Sequence, residues 1–122
     1  TRDFSFVKDI VNGFIAIAES DVSVGEIINI GSGLEISIKE LGQTIGDLMG
    51  SEIKFNTEET RLRPGKSEVD RLLADNSKAK QILNWEPKYA AKEGLKRGLK
   101  KAIEWYSQPE TLKKYRTDEF NF

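Results

Sequence analysis

The stretch Arg61-Leu62-Arg63-Pro64-Gly65-Lys66-Ser67-Glu68-Val69-Asp70 holds the residue types best suited to recognising an anion. Three cations sit in a loop whose path is restricted by Pro64 next to Gly65. Guanidinium forks match phosphate oxygens two at a time, and Lys66 adds a compact point charge. Glu68 and Asp70 can accept hydrogen bonds from sugar hydroxyls. Residue types alone leave two readings open here, a phosphate-binding loop and a solvated charged loop.

Gly31-Ser32-Gly33 invites comparison with a dinucleotide-binding turn, since it follows one apolar stretch and precedes a helical pattern. The position of the third glycine is Ile36, and the helix starts too late, so a tight strand-to-helix turn is the better reading. Proton-transfer chemistry is thinly supplied. There is no His and no Cys, which removes imidazole bases, thiol nucleophiles and Cys/His metal sites. A tyrosine with a lysine four residues on would be a proton-transfer device, but Glu93, Glu110 and Glu119 follow Tyr89, Tyr106 and Tyr115 at that spacing. No carboxylate pair has the spacing of an acid/base dyad. The expectation is that this chain holds no catalytic residue and no metal site.

These groups need a scaffold, and 122 residues provide one domain. With 38% hydrophobic and 32% charged residues the composition is that of a globular protein, and no apolar stretch approaches the length of a membrane span. The opening Thr1-Arg2-Asp3 lacks the signal-peptide pattern, and its abruptness leads us to expect a piece of a longer protein. A cysteine-free chain fits the reducing cytoplasm, where we expect it. Residues 1–60 carry four Lys/Arg against eleven Asp/Glu, and residues 61–122 fifteen against nine, so anion binding belongs in the second half. No nucleic-acid motif accompanies those cations, and nucleic acid is not an expected partner.

The pattern along the chain predicts an α/β unit, helix-rich with short strands. A strand is expected over Arg2–Val7, then a helix capped by Asp9 and running to Ser20. Glu26-Ile27-Ile28-Asn29-Ile30 is expected as a strand apolar on both faces, as in a sheet covered above and below. Ser37 with Glu40 three residues later is a capping box, and Gly50 ends that helix. Short strands are expected at Ile53–Phe55 and Leu72–Ala74. Asp75 or Asn76 caps a helix closed by Trp85-Glu86-Pro87. A long amphipathic helix is expected over Lys92–Ser107, followed by a helical turn or two between Pro109 and Tyr115.

In their order these stretches resemble the C-terminal portion of the extended short-chain dehydrogenase/reductase family, the NAD-dependent sugar-nucleotide epimerases and dehydratases. The likeness is carried by Arg2-Asp3-Phe4 with Val7-Lys8-Asp9-Ile10-Val11, Ile28-Asn29-Ile30-Gly31, Arg63-Pro64-Gly65, Ala74-Asp75-Asn76-Ser77-Lys78-Ala79 and Leu83-Asn84-Trp85-Glu86-Pro87. It covers nearly the whole chain and is nearest to the 4,6-dehydratases. Asn84 stands where the family usually has Gly, a position asparagine can fill in a left-handed conformation.

The resemblance implies a C-terminal substrate-binding region spanning 1–122, with most of the Rossmann core missing and residues 1–37 packing on the absent NAD-binding domain. It implies that Arg2, Asn29 and Arg63 touch the diphosphate of a nucleotide-diphosphate sugar, with Lys66 assisting and Glu68 near the ribose. The family's glycine-rich NAD turn and Tyr-x-x-x-Lys pair have no counterpart here. NAD is therefore expected in the parent enzyme and not on this chain alone, and self-association is expected. The alternatives are the same region of a 4-epimerase, or a free-standing module without catalysis.

Overall fold

The structure, a computed structural model, describes residues 1–56 and 69–115. Five helices surround a minimal sheet among these residues. Strand β1 (Arg2–Asp3) pairs antiparallel with β2 (Glu35–Ile36), and Leu72 adds a single parallel bridge to Arg2. The helices are α1 (Val7–Ala18), α2 (Ile38–Met49), α3 (Ser77–Leu83), α4 (Ala91–Tyr106) and α5 (Pro109–Leu112), with a 3-10 turn at Asp21–Ser23.

Helix ends follow local chemistry. The Ser37 hydroxyl accepts from the Glu40 N–H at 3.1 Å while the Glu40 carboxylate accepts from the Ser37 N–H at 3.1 Å, a complete capping box. The Ser37 hydroxyl, which donates to the Glu40 carboxylate at 2.8 Å, and then the Ser37 N–H hold the Glu40 carboxyl below its usual range. Gly50 ends α2 at φ 63°, and Asn84 ends α3 at φ 51°, the left-handed conformation expected of it.

Three expectations need correction. The opening strand is only two residues long, because α1 begins at Val7 with Phe6 as its N-cap. Asp9 does not cap that helix; it lies inside the first turn and is 2% exposed. Residues 26–30 and 53–55 are not regular strands. No strand pairs with either among the described residues, and a strand without a neighbour has nowhere to place its backbone hydrogen bonds. Residues 51–55 fold back over α2 instead. A Cβ at Gly42 would come within 2.7 Å of the Phe55 ring, and one at Gly46 within 2.5 Å of Ile53, so the two glycines make room for this crossing.

Ala79 (0% exposed), Trp85 (7%) and Ile36 (8%) form the buried apolar centre. Two helical groups flank it, α1 with α3 and α2 with α4 and α5. They are joined where the Phe6 ring meets Tyr89, centroids 4.3 Å apart, and lies over Gly98 of α4. Much apolar surface stays outside. Val7, Val11, Phe14 and Ile15 of α1 are exposed, as are Val22, Val24 and Ile27, the last at 86%. Among the described residues no helix is long and apolar enough to cross a membrane.

Candidate functional site

Arg2 and Asn29 are the two expected substrate contacts within the described residues; Arg63, Lys66 and Glu68 lie outside them. Arg2 is half-buried in β1, and its guanidinium donates to the Thr1 carbonyl at 2.8 Å. Asn29 is exposed and lines an open cleft of about 400 Å³ with Ile10, Phe14, Ile28, Leu73 and Asp75. Segment 69–75 links the two positions. The Leu72 N–H donates to the Thr1 carbonyl at 3.2 Å beside Arg2, and Leu73–Asp75 form a wall of the Asn29 cleft. The segment that follows the cationic stretch therefore lies against the strand that carries Arg2 at Leu72.

A further tie holds that segment. Arg71 grips Glu35 with both arms of its guanidinium: Nε donates to Oε2 at 2.9 Å, and Nη2 donates to Oε1. The Thr1 hydroxyl also donates to Glu35, at 2.7 Å. The bond from Arg71, then that from Thr1, lowers the Glu35 carboxyl to about 2. Arg71 stands one residue past the charged stretch singled out in the sequence, and its charge is committed to this tie.

A pH dependence follows. The folded-state pKa lies below the unfolded one, so the contribution of this tie is complete above about 4.5 and is lost as the pH falls toward about 2. Carbon-detected NMR titration of Glu35 should give a midpoint near 2 in the parent sequence and one returned to the ordinary glutamate range in Arg71→Ala. Equal midpoints in both proteins would show that the pair does not form in solution.

The Gly31-Ser32-Gly33 turn is filled by the chain's own carboxylate. Asp3 Oδ1 accepts from the Ser32 N–H at 3.0 Å and the Ser32 hydroxyl at 2.6 Å, and Oδ2 accepts from the Gly33 N–H at 3.0 Å. The Ala74 N–H reaches Oδ2 at 3.3 Å, and the Ser5 hydroxyl reaches Oδ1 at 3.2 Å. Successive N–H groups in such a turn form an anion nest, and here Asp3 occupies it, so it is not open to a pyrophosphate. Gly33 needs its left-handed φ of 68°, whereas Gly31 is required for closeness: a Cβ there would stand 2.3 Å from that of Ala74. The expected strand-to-helix turn is corrected: no strand leads directly into these glycines among the described residues, and β2 follows them before α2 begins.

A second carboxylate, the buried Asp9, joins the two helical groups. Asp9 accepts from the backbone N–H groups of Lys88 at 3.0 Å and Tyr89 at 2.8 Å. Arg97 donates to the Lys88 carbonyl at 2.6 Å and lies 5.6 Å from the Tyr89 ring centre. Sequence reasoning treated Asp9 as a cap and gave Asp3 no role. Their only signal was position within the Arg2-Asp3-Phe4 and Val7-Lys8-Asp9 stretches.

The hydrogen bond between Tyr106 and Tyr115 pushes the Tyr115 hydroxyl up, away from what a proton-transfer tyrosine requires. No group of three or more acidic side chains able to hold a metal ion is found among the described residues.

Arg2 and Asn29 thus both lie beside residues 69–75, the segment that follows the cationic stretch. The chain belongs to the extended short-chain dehydrogenase/reductase family: the family model described as GDP-mannose 4,6 dehydratase matches residues 1–98. The chain is similar to a UDP-glucuronate 4-epimerase of Thermodesulfobacterium geofontis, 41% identical over 98 residues, which are 79% of this chain and 28% of that protein. It is similar to a UDP-glucose 4-epimerase of Mycolicibacterium smegmatis, 33% identical over 78% of this chain and 29% of that one. A UDP-glucuronic acid decarboxylase 1 of Xenopus tropicalis is 37% identical over 81% of this chain and 22% of that one. The chain thus spans less than a third of the length of these curated relatives. No solved structure gives a significant match.

Proposed function

We propose that this chain is the nucleotide-sugar-binding part of an NAD-dependent sugar-nucleotide 4,6-dehydratase of the cytoplasm, and that it is inactive alone. The observation that carries the proposal is the family match across residues 1–98, which includes every expected contact: Arg2, Asn29, Arg63, Lys66 and Glu68. In this reading the diphosphate lies against Arg2, Asn29 and the cationic loop, with the ribose near Glu68. The NAD turn and the acid/base pair come from a Rossmann domain on which residues 1–37 pack. NAD supplies hydride acceptance when bound there; the residues of this chain bind and orient the sugar nucleotide.

A second reading is favoured by the activities for which the relatives are named. Two of those named are 4-epimerases and one is a decarboxylase of a UDP-sugar acid. The same binding part would then serve inversion at C4, and the nucleotide would be a UDP-sugar. Mass spectrometry of products formed by the full-length protein separates the outcomes. A dehydratase product is lighter by one water, an epimerase product keeps the substrate mass, and a decarboxylase product is lighter by one carbon dioxide. The expected result with the 122-residue chain alone is no turnover and no NAD binding. Micromolar NAD binding in equilibrium dialysis would sink the reading of this chain as the substrate side only.

The exposed apolar surface of α1 and residues 22–27 leads to a further expected result. Leaving such side chains in water costs about 1.5 to 3 kcal/mol each relative to burying them, so the isolated chain should self-associate. Light scattering over a concentration series should show the mass rising. A constant monomer mass with no dye-accessible apolar surface would instead favour a free-standing module.

A further inference from the structure

We propose that Asp3 is a positioning residue for the nucleotide-sugar site: its carboxylate sets Arg2, the 29–33 segment and the root of the cationic loop in one register. This inference rests on the substrate reading given above. Its own basis is geometric. Five donors converge on the carboxylate, from Ser5, from Ser32 (two), from Gly33 and from Ala74. Those donors belong to three segments distant in sequence, and each leads to an expected substrate contact. Asp3 adjoins Arg2 in β1. Ser32 and Gly33 follow Asn29 by a few residues. Ala74 lies two residues past the Leu72 bridge, in the segment that follows the cationic stretch.

The glycine turn and Ala74 have little else to hold them together. Gly31 and Ala74 have no side-chain hydrogen-bonding groups of their own, and their close approach brings the two segments together at the carboxylate. The Asn76 side chain adds one more strap, donating to the Gly31 carbonyl at 3.1 Å. Asp3→Asn keeps one acceptor oxygen without the charge, and its NH₂ faces the N–H groups that the other oxygen held, so the bonds from Ser32, Gly33 and Ala74 are no longer all made and those that remain are weaker. The segment carrying Asn29 and the loop root can then move relative to Arg2. A diphosphate bridging these elements would lose simultaneous contact, although Asp3 itself never touches it.

The test uses the full-length protein with Asp3→Asn and Ser32→Ala, and with Asp9→Asn as a control, since Asp9 secures a different junction. Affinity for UDP, GDP and dTDP is measured by calorimetry, and backbone amide exchange is followed by NMR. Asp3→Asn should weaken nucleotide affinity roughly tenfold or more, as loss of a charge-assisted contact would, and Ser32→Ala by less. Protection of the Ser32, Gly33 and Ala74 amides should fall together. Asp9→Asn should lower the melting temperature and leave affinity unchanged. Equal affinity losses in Asp3→Asn and Asp9→Asn would reduce Asp3 to a general stabilising role and overturn the proposal. Unchanged affinity in both Asp3→Asn and Ser32→Ala would overturn it as well. If the parent protein binds none of the three nucleotides, it is the substrate reading that fails. The exchange data then judge the junction by themselves, and retained protection at Ala74 overturns it.

Discussion

Asp9→Ala is expected to lower folding stability by about 3 to 5 kcal/mol, a large part of the total for a domain of this size. The side chain is 2% exposed and accepts two backbone N–H bonds, from Lys88 and Tyr89. Bonds to a charged group contribute roughly 1.5 to 3 kcal/mol each, and truncation also leaves the Tyr89 N–H without its acceptor. The damage spreads beyond the two bonds. Tyr89 packs on Phe6, and Arg97 reaches back to the Lys88 carbonyl, so a loosened 88–89 turn weakens the joint between α1 and α4. Asp9→Asn should lose less, because its amide oxygen still accepts one N–H while its NH₂ faces the other. Urea denaturation midpoints check this. A loss below about 0.5 kcal/mol in Asp9→Ala, the usual size for a surface position, would mean that the turn is solvated and the joint rests on the rings alone.

Arg63→Ala is expected to cost about 1.5 to 3 kcal/mol of nucleotide-diphosphate affinity, roughly 10- to 150-fold, and Lys66→Ala less. A guanidinium meets phosphate oxygens with two bonds where an ammonium offers a point charge. Arg71, the next guanidinium along the chain, is clasped by Glu35 and serves as an anchor at the loop root. Calorimetry of the full-length protein with UDP, GDP and dTDP reads the effect. The base giving the tightest binding also identifies the nucleotide. Unchanged affinity in Arg63→Ala would mean that the loop only connects its neighbours.

The two substitutions probe opposite kinds of information. Arg63 was singled out because its type, its charge and the neighbouring Pro64-Gly65 speak for themselves. Asp9 was misassigned because the same side chain, before an apolar helical run, has a common local use as a cap. Local patterns served well where the interaction closes within one turn. The Ser37–Glu40 box, the Gly50 and Asn84 ends, the α4 stripe beginning one residue from its expected start, and the short α5 needed no distant partner. The expected strands at 27–30 and 53–55 fared worse. Apolar alternation marks a segment that wants cover, but a strand exists only where a second one accepts its hydrogen bonds.

What the sequence by itself determined is therefore the helices, the ends of α2 and α3, and the family, while the groups expected to meet a diphosphate were read there as residue types. These depend on contacts within a few residues or on ordered motifs that can be compared directly. Only the tertiary structure decided the uses of Asp3 and Asp9, the closure of Glu35 with Arg71, and the way residues 51–55 lie over Gly42 and Gly46. Asp9 meets partners 79 and 80 positions away, and Asp3 meets Ala74 across 71. A carboxylate's preference for N–H donors is local chemistry, but which donors reach it depends on the path of the whole backbone, and no spacing along the chain encodes that.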